Sequence, residues 1–157
     1  RERILDYKFN EKSYLYKTFV NFLLKRQKVF EKIKEYDIIV PVPISRKRKR
    51  ERGYNQSLLV AREISRQLRK YANKDLQLVT TSLYKIKNTI EQSKLNKEDR
   101  EKNAQGVYEL KNRQILKNKN VLLFDDIYTT GNTANSCCGE IKKAEPNNIG
   151  VLVLAKD

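Results

Sequence analysis

The sequence contains no histidine. That absence excludes histidine-based catalytic triads, histidine metal ligands and histidine proton shuttles. Methionine is absent too, so Arg1 is expected to lie downstream of a translational start, with something N-terminal removed or outside this numbering. Only two cysteines occur, Cys137 and Cys138, and they are adjacent. Adjacent cysteines rarely pair, because a disulfide needs Cα atoms about 4.4–6.8 Å apart and suitably directed side chains. A structural zinc site needs about four nitrogen or sulfur ligands, more than this chain can supply. These absences predict a reduced intracellular chain without a structural metal. No apolar run approaches the ~18–20 residues of a membrane span, so no membrane insertion is expected. Arg1-Glu2-Arg3 leads into a polar stretch rather than the apolar core of an export signal, and a cytoplasmic location is expected. Internal repeats and low-complexity linkers are also lacking.

What the chain has is positive charge. Its 157 residues suit one compact domain, and 34 Lys and Arg against 19 Asp and Glu give a net charge of +15. Dense Val, Ile, Leu and Tyr runs in the middle and at the end argue against disorder throughout. Residues 46 to 52 read Arg-Lys-Arg-Lys-Arg-Glu-Arg, six bases and one acid in seven positions. Lysine-rich helices can serve solubility alone. Concentration of this kind points instead to a polyanion, either nucleic acid or a phosphorylated small molecule.

Residues 11 to 34 have the spacing of an amphipathic helix, with Leu15, Phe19, Phe22, Leu23, Phe30 and Ile33 on one stripe. Tyr14, Phe19, Phe22 and Phe30 are read as its core aromatics. The period then changes. Asp37 to Pro43 is a short β-branched run ended by prolines, the pattern of a buried strand. Asn55 is placed as the N-cap of a second helix bearing Leu58, Leu59, Ile64 and Leu68. Residues 76 to 84 read as a strand, 85 to 105 as polar and weakly patterned, and 106 to 110 as a short strand. Val121 to Phe124 carries the strongest buried-strand signal. A helix of about a dozen residues follows to Ala144, and Ile149 to Ala155 reads as a last strand. Strands and helices in this order predict an α/β domain with a mostly parallel sheet. Cys137 and Cys138 are read as small packing residues of the last helix.

The stretch from Val121 to Thr133 carries the chemistry. In an open parallel sheet, ligands collect at the carboxyl ends of strands. Asp125 and Asp126 sit at such an end, and paired acids suit vicinal hydroxyls or a hard cation such as Mg²⁺. Thr129, Thr130, Gly131, Asn132 and Thr133 then offer hydroxyls and backbone N–H groups where a helix begins, which is an anion cradle. Acids for sugar hydroxyls beside a cradle for phosphate describe a ribose 5-phosphate site. The plain alternative is a strand end followed by a helix cap.

This string closely resembles the phosphoribosyl pyrophosphate signature of type I phosphoribosyltransferases. The segment from Val40 to Ser57 resembles the corresponding part of the ComF family, the competence-associated members of that fold. Gln92, Ser93, Leu95, Arg100, Asn103 and Gly106 match that family's Gln-x-x-Leu…Arg-x-x-Asn-x-x-Gly pattern. Tyr7-Lys8-Phe9 fits the segment after its N-terminal zinc-binding module, which this sequence does not include.

The resemblance implies a five-stranded parallel core with a small hood. Residues 1–35 would form an N-terminal helical and hood segment, and 36–157 the α/β core. Asp125 and Asp126 would meet the ribose hydroxyls, directly or through Mg²⁺. Residues Thr129 to Thr133 would hold the 5-phosphate. The pyrophosphate would lie against Ser45, Arg46 and Lys47. Residues 85–105 would supply a cover, with Arg100 as its catalytic contribution.

Two functions remain open. One is an enzyme or sensor that binds phosphoribosyl pyrophosphate, or a related phosphorylated sugar, with Mg²⁺; the reaction would be pentosyl transfer to a nitrogen nucleophile. The other is a non-catalytic protein that handles single-stranded DNA alongside the DNA-uptake machinery. Arg48, Lys49, Arg50 and Arg52 are the candidate contacts for that second reading, since six long side chains cannot all face one small ligand. Tyr54 and Tyr128 stand beside the site as candidate base-stacking rings.

Overall fold

The computed structural model describes residues 15–87 and 106–156. Tyr7 to Phe9, Tyr14, Gln92, Ser93, Leu95, Arg100 and Asn103 lie outside the described residues. Four strands form a parallel sheet in the order β2-β1-β5-β6. They are β1 (Ile38–Pro41), β2 (Gln77–Leu78), β5 (Asn120–Tyr128) and β6 (Asn148–Lys156). Two more strands, β3 (Leu83–Lys85) and β4 (Tyr108–Leu110), make a separate antiparallel pair. The helices are α1 (Leu15–Leu24), α2 (Gln27–Lys34), α3 (Arg46–Arg52), α4 (Gln56–Ala72) and α5 (Asn132–Lys142).

Both faces of the sheet are covered, and strand alternation decides which side chain goes where. Ile38, Val40, Val121 and Leu123 point to the face covered by α5 and the β3–β4 pair. Ile39, Leu122 and Phe124 point to the other face, against Val20 of α1, Ile33 of α2 and Val60, Ile64 and Leu68 of α4. Helices α1 and α2 therefore pack with α4 on the sheet. Val79 donates its N–H to Ile39 O at 3.0 Å, after which the chain leaves β1. Leu83 then pairs with Leu110, and Lys85 with Tyr108.

That departure explains the strand count. The stretch 76–84 divides between two sheets, and 106–110 follows its second half. The parallel sheet consequently has four strands among the described residues, not five. The first helix also differs. It breaks at Arg26, whose backbone is extended, and the bend lets Val20 and Ile33 reach one cluster. Phe22 is not a core residue: it is 65% exposed, with the Arg26 guanidinium 5.1 Å from its ring centroid. It follows the buried Val20 by two residues, which is roughly 200° around a helix. On α4 the buried stripe runs through Val60, Ala61, Ile64 and Leu68, while Leu58 and Leu59 are half-buried. Among the described residues, no helix is long and apolar enough to cross a membrane.

Candidate functional site

The sheet's connectivity points to one crevice. Helix α4 links β1 to β2 on one face, and α5 links β5 to β6 on the other. The strand order therefore reverses between β1 and β5, and such a switch point leaves room for a ligand beyond the carboxyl ends of the strands. Two segments frame it, residues 42–55 after β1 and residues 125–133 at the end of β5.

After β1 the basic run forms a helix. The Ser45 hydroxyl accepts the Arg48 N–H at 3.3 Å, which caps α3. Gly53 ends α3 in the left-handed region at φ 75°. Asn55 caps α4, as its position in the sequence predicts. Its Oδ1 accepts the Leu58 N–H at 3.4 Å and its Nδ2 donates to Val42 O at 3.1 Å, tying the helix start to the end of β1. Ser45 is thus a buried capping residue. Arg46 to Arg50 are exposed, and Lys47 lies 3.9 Å from Glu51. A cleft of about 420 Å³ opens beside this segment, lined by Pro41, Pro43, Tyr54, Leu58, Leu83 and Tyr84 among others.

At the end of β5, Asp125 is half-buried and Asp126 is 7% exposed. Each carboxylate uses its Oδ1 to accept the next residue's N–H at 2.9 Å. Continued alternation sends Asp125 toward the α5 face, with Leu123, and Asp126 toward the Phe124 face. A ligand meeting both would lie across the end of the strand, not on one face of the sheet. Among the described residues no group of three or more carboxylates and thiols could hold a metal ion. Two adjacent carboxylates still fit Mg²⁺, which takes one or two protein carboxylates plus substrate phosphates and water.

Residues 129–133 form the turn into α5. Thr129 and Thr130 are exposed, and Asn132 and Thr133 are half-buried. Gly131 sits at φ 79°, and the ring of Tyr128 lies where its Cβ would be. Tyr128 thus packs down on the turn. Gly131 has no side chain with which to cap α5, so the first N–H groups of that helix are left for water or an anion.

The structure also brings in residues that the sequence reading did not single out as functional. Tyr108 of β4 shares a buried cluster with Ala134 and Cys137 of α5. Burial pushes the Tyr108 phenol and the Cys137 thiol far above their ordinary values, with the Asp125 carboxylate reinforcing both. Burial raises Cys138 as well. Lys85 of β3 is pushed down by burial and then by Arg48, against the pull of the Cys137 and Asp125 side chains. Of the α3 cations, Arg48 is thus within electrostatic reach of the Asp125 side of the site. Only the 85-to-108 pairing across the second sheet could have drawn attention to Lys85, and that pairing is not local in sequence.

The family model of the phosphoribosyl transferase domain matches residues 54–157. The chain belongs to that family. It is similar to Competence protein F of Haemophilus influenzae, with 29% identity over 160 residues covering 98% of this chain and 66% of that protein. The chain thus spans just under two thirds of that relative's length. Among solved structures, it resembles glutamine phosphoribosylpyrophosphate amidotransferase from B. subtilis, with a TM-score of 0.55 and 14% identity over 90% of this chain and 26% of that one. It also resembles purine phosphoribosyltransferase from Pyrococcus horikoshii, with a TM-score of 0.51 and 19% identity over 91% of this chain and 74% of that one. These two likenesses establish the shared fold, an α/β domain whose parallel sheet is flanked by helices.

Proposed function

We propose that this protein binds phosphoribosyl pyrophosphate, or a closely related phosphorylated sugar, across the carboxyl ends of β1 and β5. The observation that carries the reading is the switch point itself. A carboxylate pair and an uncapped helix start meet there in thirteen consecutive residues, Val121 to Thr133. Asp125 and Asp126 take the ribose hydroxyls from the two sides of the strand end. Thr129 to Thr133 donate to the 5-phosphate. Arg48, with Arg46 and Lys47 beside it, faces the pyrophosphate, and Ser45 sets the start of their helix. Arg100 keeps its proposed catalytic part. Mg²⁺, held by Asp125, Asp126 and ligand oxygens, would offset the charge that gathers on a departing pyrophosphate. The chain's own cations act on that same charge, and Arg can do so bidentately. The name of the Haemophilus relative motivates placing this chemistry in competence.

Isothermal titration with phosphoribosyl pyrophosphate, with and without Mg²⁺, tests the reading. The parent should bind. The Asp125→Asn, Asp126→Asn double variant should lose binding while its circular dichroism is unchanged. Equal binding by the double variant and the parent would refute the assignment.

A second reading is favoured by the exposed cations. Arg46 to Arg50 project from a seven-residue helix in several directions. Arg62, Arg66, Arg69 and Lys70 line an open groove of about 580 Å³ beside the edge strand β2. Such a surface suits the backbone of single-stranded DNA. Binding of a labelled oligonucleotide measured against salt tests it, with a slope of about −0.7 per phosphate contacted. A flat response would remove this surface from consideration.

A further inference from the structure

We propose that the cleft between residues 41–58 and β3 holds one base of a DNA single strand, with the Tyr84 ring as its stacking surface and Lys49 meeting the adjoining phosphate. The proposal rests on the oligonucleotide reading above and gives that reading a base-binding site. One wall comes from the end of β1 and the start of α4, with Pro41, Pro43, Tyr54 and Leu58. Tyr54 packs against the cluster of Ile39 and Phe124, so one face of the sheet backs this wall. The other wall is Leu83 and Tyr84 of β3, and Leu83 belongs to the cluster on the opposite face. A slot between two separately anchored walls suits a flat ring. Its volume of about 420 Å³ falls within the roughly 300–1,000 Å³ of small-molecule sites. Tyr84 is 38% exposed. Lys111, which does not line the cleft, sets its ammonium 5.4 Å from the Tyr84 ring centroid and helps to hold the ring.

Charge and continuity both favour a strand of nucleic acid as the occupant. Among the described residues no carboxylate lines the cleft, whereas Lys49 does. The cleft also adjoins the basic groove beside β2. A smaller depression of about 370 Å³ shares Leu59 with the cleft and Arg62 with the groove. From Leu58 in the cleft to Arg69 in the groove, α4 rises about 16 Å, several times the roughly 3.4 Å per phosphate along one strand. Phosphates can thus follow α4 while one base turns into the cleft. Arg66 and Arg69 also pair with Glu63 and Asp75, so Arg62 and Lys49 are the cations to test. Asn55, the amide in the cleft, spends its side chain on the Leu58 N–H and Val42 O. With that amide committed, stacking leads, and a π-face tolerates any base.

The test measures anisotropy of a labelled oligothymidylate and of an equally long strand of abasic sugars, with a thermal melt for each variant. The parent should prefer the strand that carries bases. Tyr84→Ala should weaken oligothymidylate binding about 5- to 150-fold at an unchanged salt slope, and leave the abasic strand unaffected. Tyr84→Phe, which keeps the ring, should stay within about twofold of the parent. Lys49→Gln and Arg62→Gln should each lower the salt slope by about 0.7 on both strands. Parent-like binding by Tyr84→Ala overturns the proposal, and so does an equal loss on both strands or a parent that prefers neither. Should Tyr84→Ala not fold, Tyr84→Leu decides in its place, since it keeps apolar bulk without the π-face. Free adenine and thymine are titrated alongside. Binding of a free base, with oligonucleotide affinity indifferent to Tyr84, assigns the cleft to a free heterocycle and overturns the proposal. A parent that binds neither strand refutes the strand-binding reading itself, a result separate from any variant.

Discussion

Replacing Gly131 by alanine tests how the phosphate turn is built. Two costs act at that position. A residue with a Cβ held at φ 79° carries a left-handed penalty of about 1–2 kcal/mol. The new methyl also meets the Tyr128 side chain, whose Cζ lies 2.8 Å from the ideal Cβ position and whose hydroxyl is closer still. Overpacking of that kind costs about 1–3 kcal/mol. Together they suggest a loss of about 3 kcal/mol, or roughly 6–12 °C in Tm for a chain of this size.

Two other glycines separate the terms. Gly53 has φ 75° and nothing within 4 Å, so Gly53→Ala should show the backbone cost alone. Gly139 is helical with open space around it, so Gly139→Ala should stabilise by up to about 1 kcal/mol. Differential scanning calorimetry on the three variants gives the comparison. Adding Tyr128→Ala to Gly131→Ala should return the packing share of the loss but not the backbone share. If Gly131→Ala costs no more than Gly53→Ala, the Tyr128 contact does not constrain the turn and the reasoning fails.

Other consequences can be measured directly. Glu63 is buried on α4 and accepts two hydrogen bonds from Arg66 and one from Gln67. The Arg66 hydrogen bond leads in lowering its carboxyl pKa below the ordinary 4.5. A depressed folded-state value stabilises above the unfolded value and is lost as pH falls. The urea midpoint of the parent should therefore exceed that of Glu63→Gln at about pH 6–8, with the gap closing below about pH 4. Phe124 is fully buried between the sheet and the α1, α2 and α4 layer, so Phe124→Ala should cost about 3–5 kcal/mol by chemical denaturation. Changing Arg48, Lys49, Arg50 and Arg52 together to glutamine should reduce the oligonucleotide salt slope by up to about 2.8 without shifting Tm. An unchanged slope would place DNA elsewhere on the surface.

The local patterns were written plainly in the chain. The β-branched run 38–42, the cap at Asn55 and the signature from Val121 to Thr133 each depend on residues near one another in sequence. Period and capping chemistry could therefore locate β1, α4, β5 and α5 and the turn between the last two. Tertiary packing decided the rest. It turned Phe22 out to solvent and Val20 in, because a helix face is chosen by whichever side meets the sheet. It divided residues 76–84 between two sheets, since each half found a better hydrogen-bonding partner on a different strand. It also packed Tyr108 against α5 and set Lys85 over its ring. Strand pairing between residues more than twenty positions apart leaves no local trace.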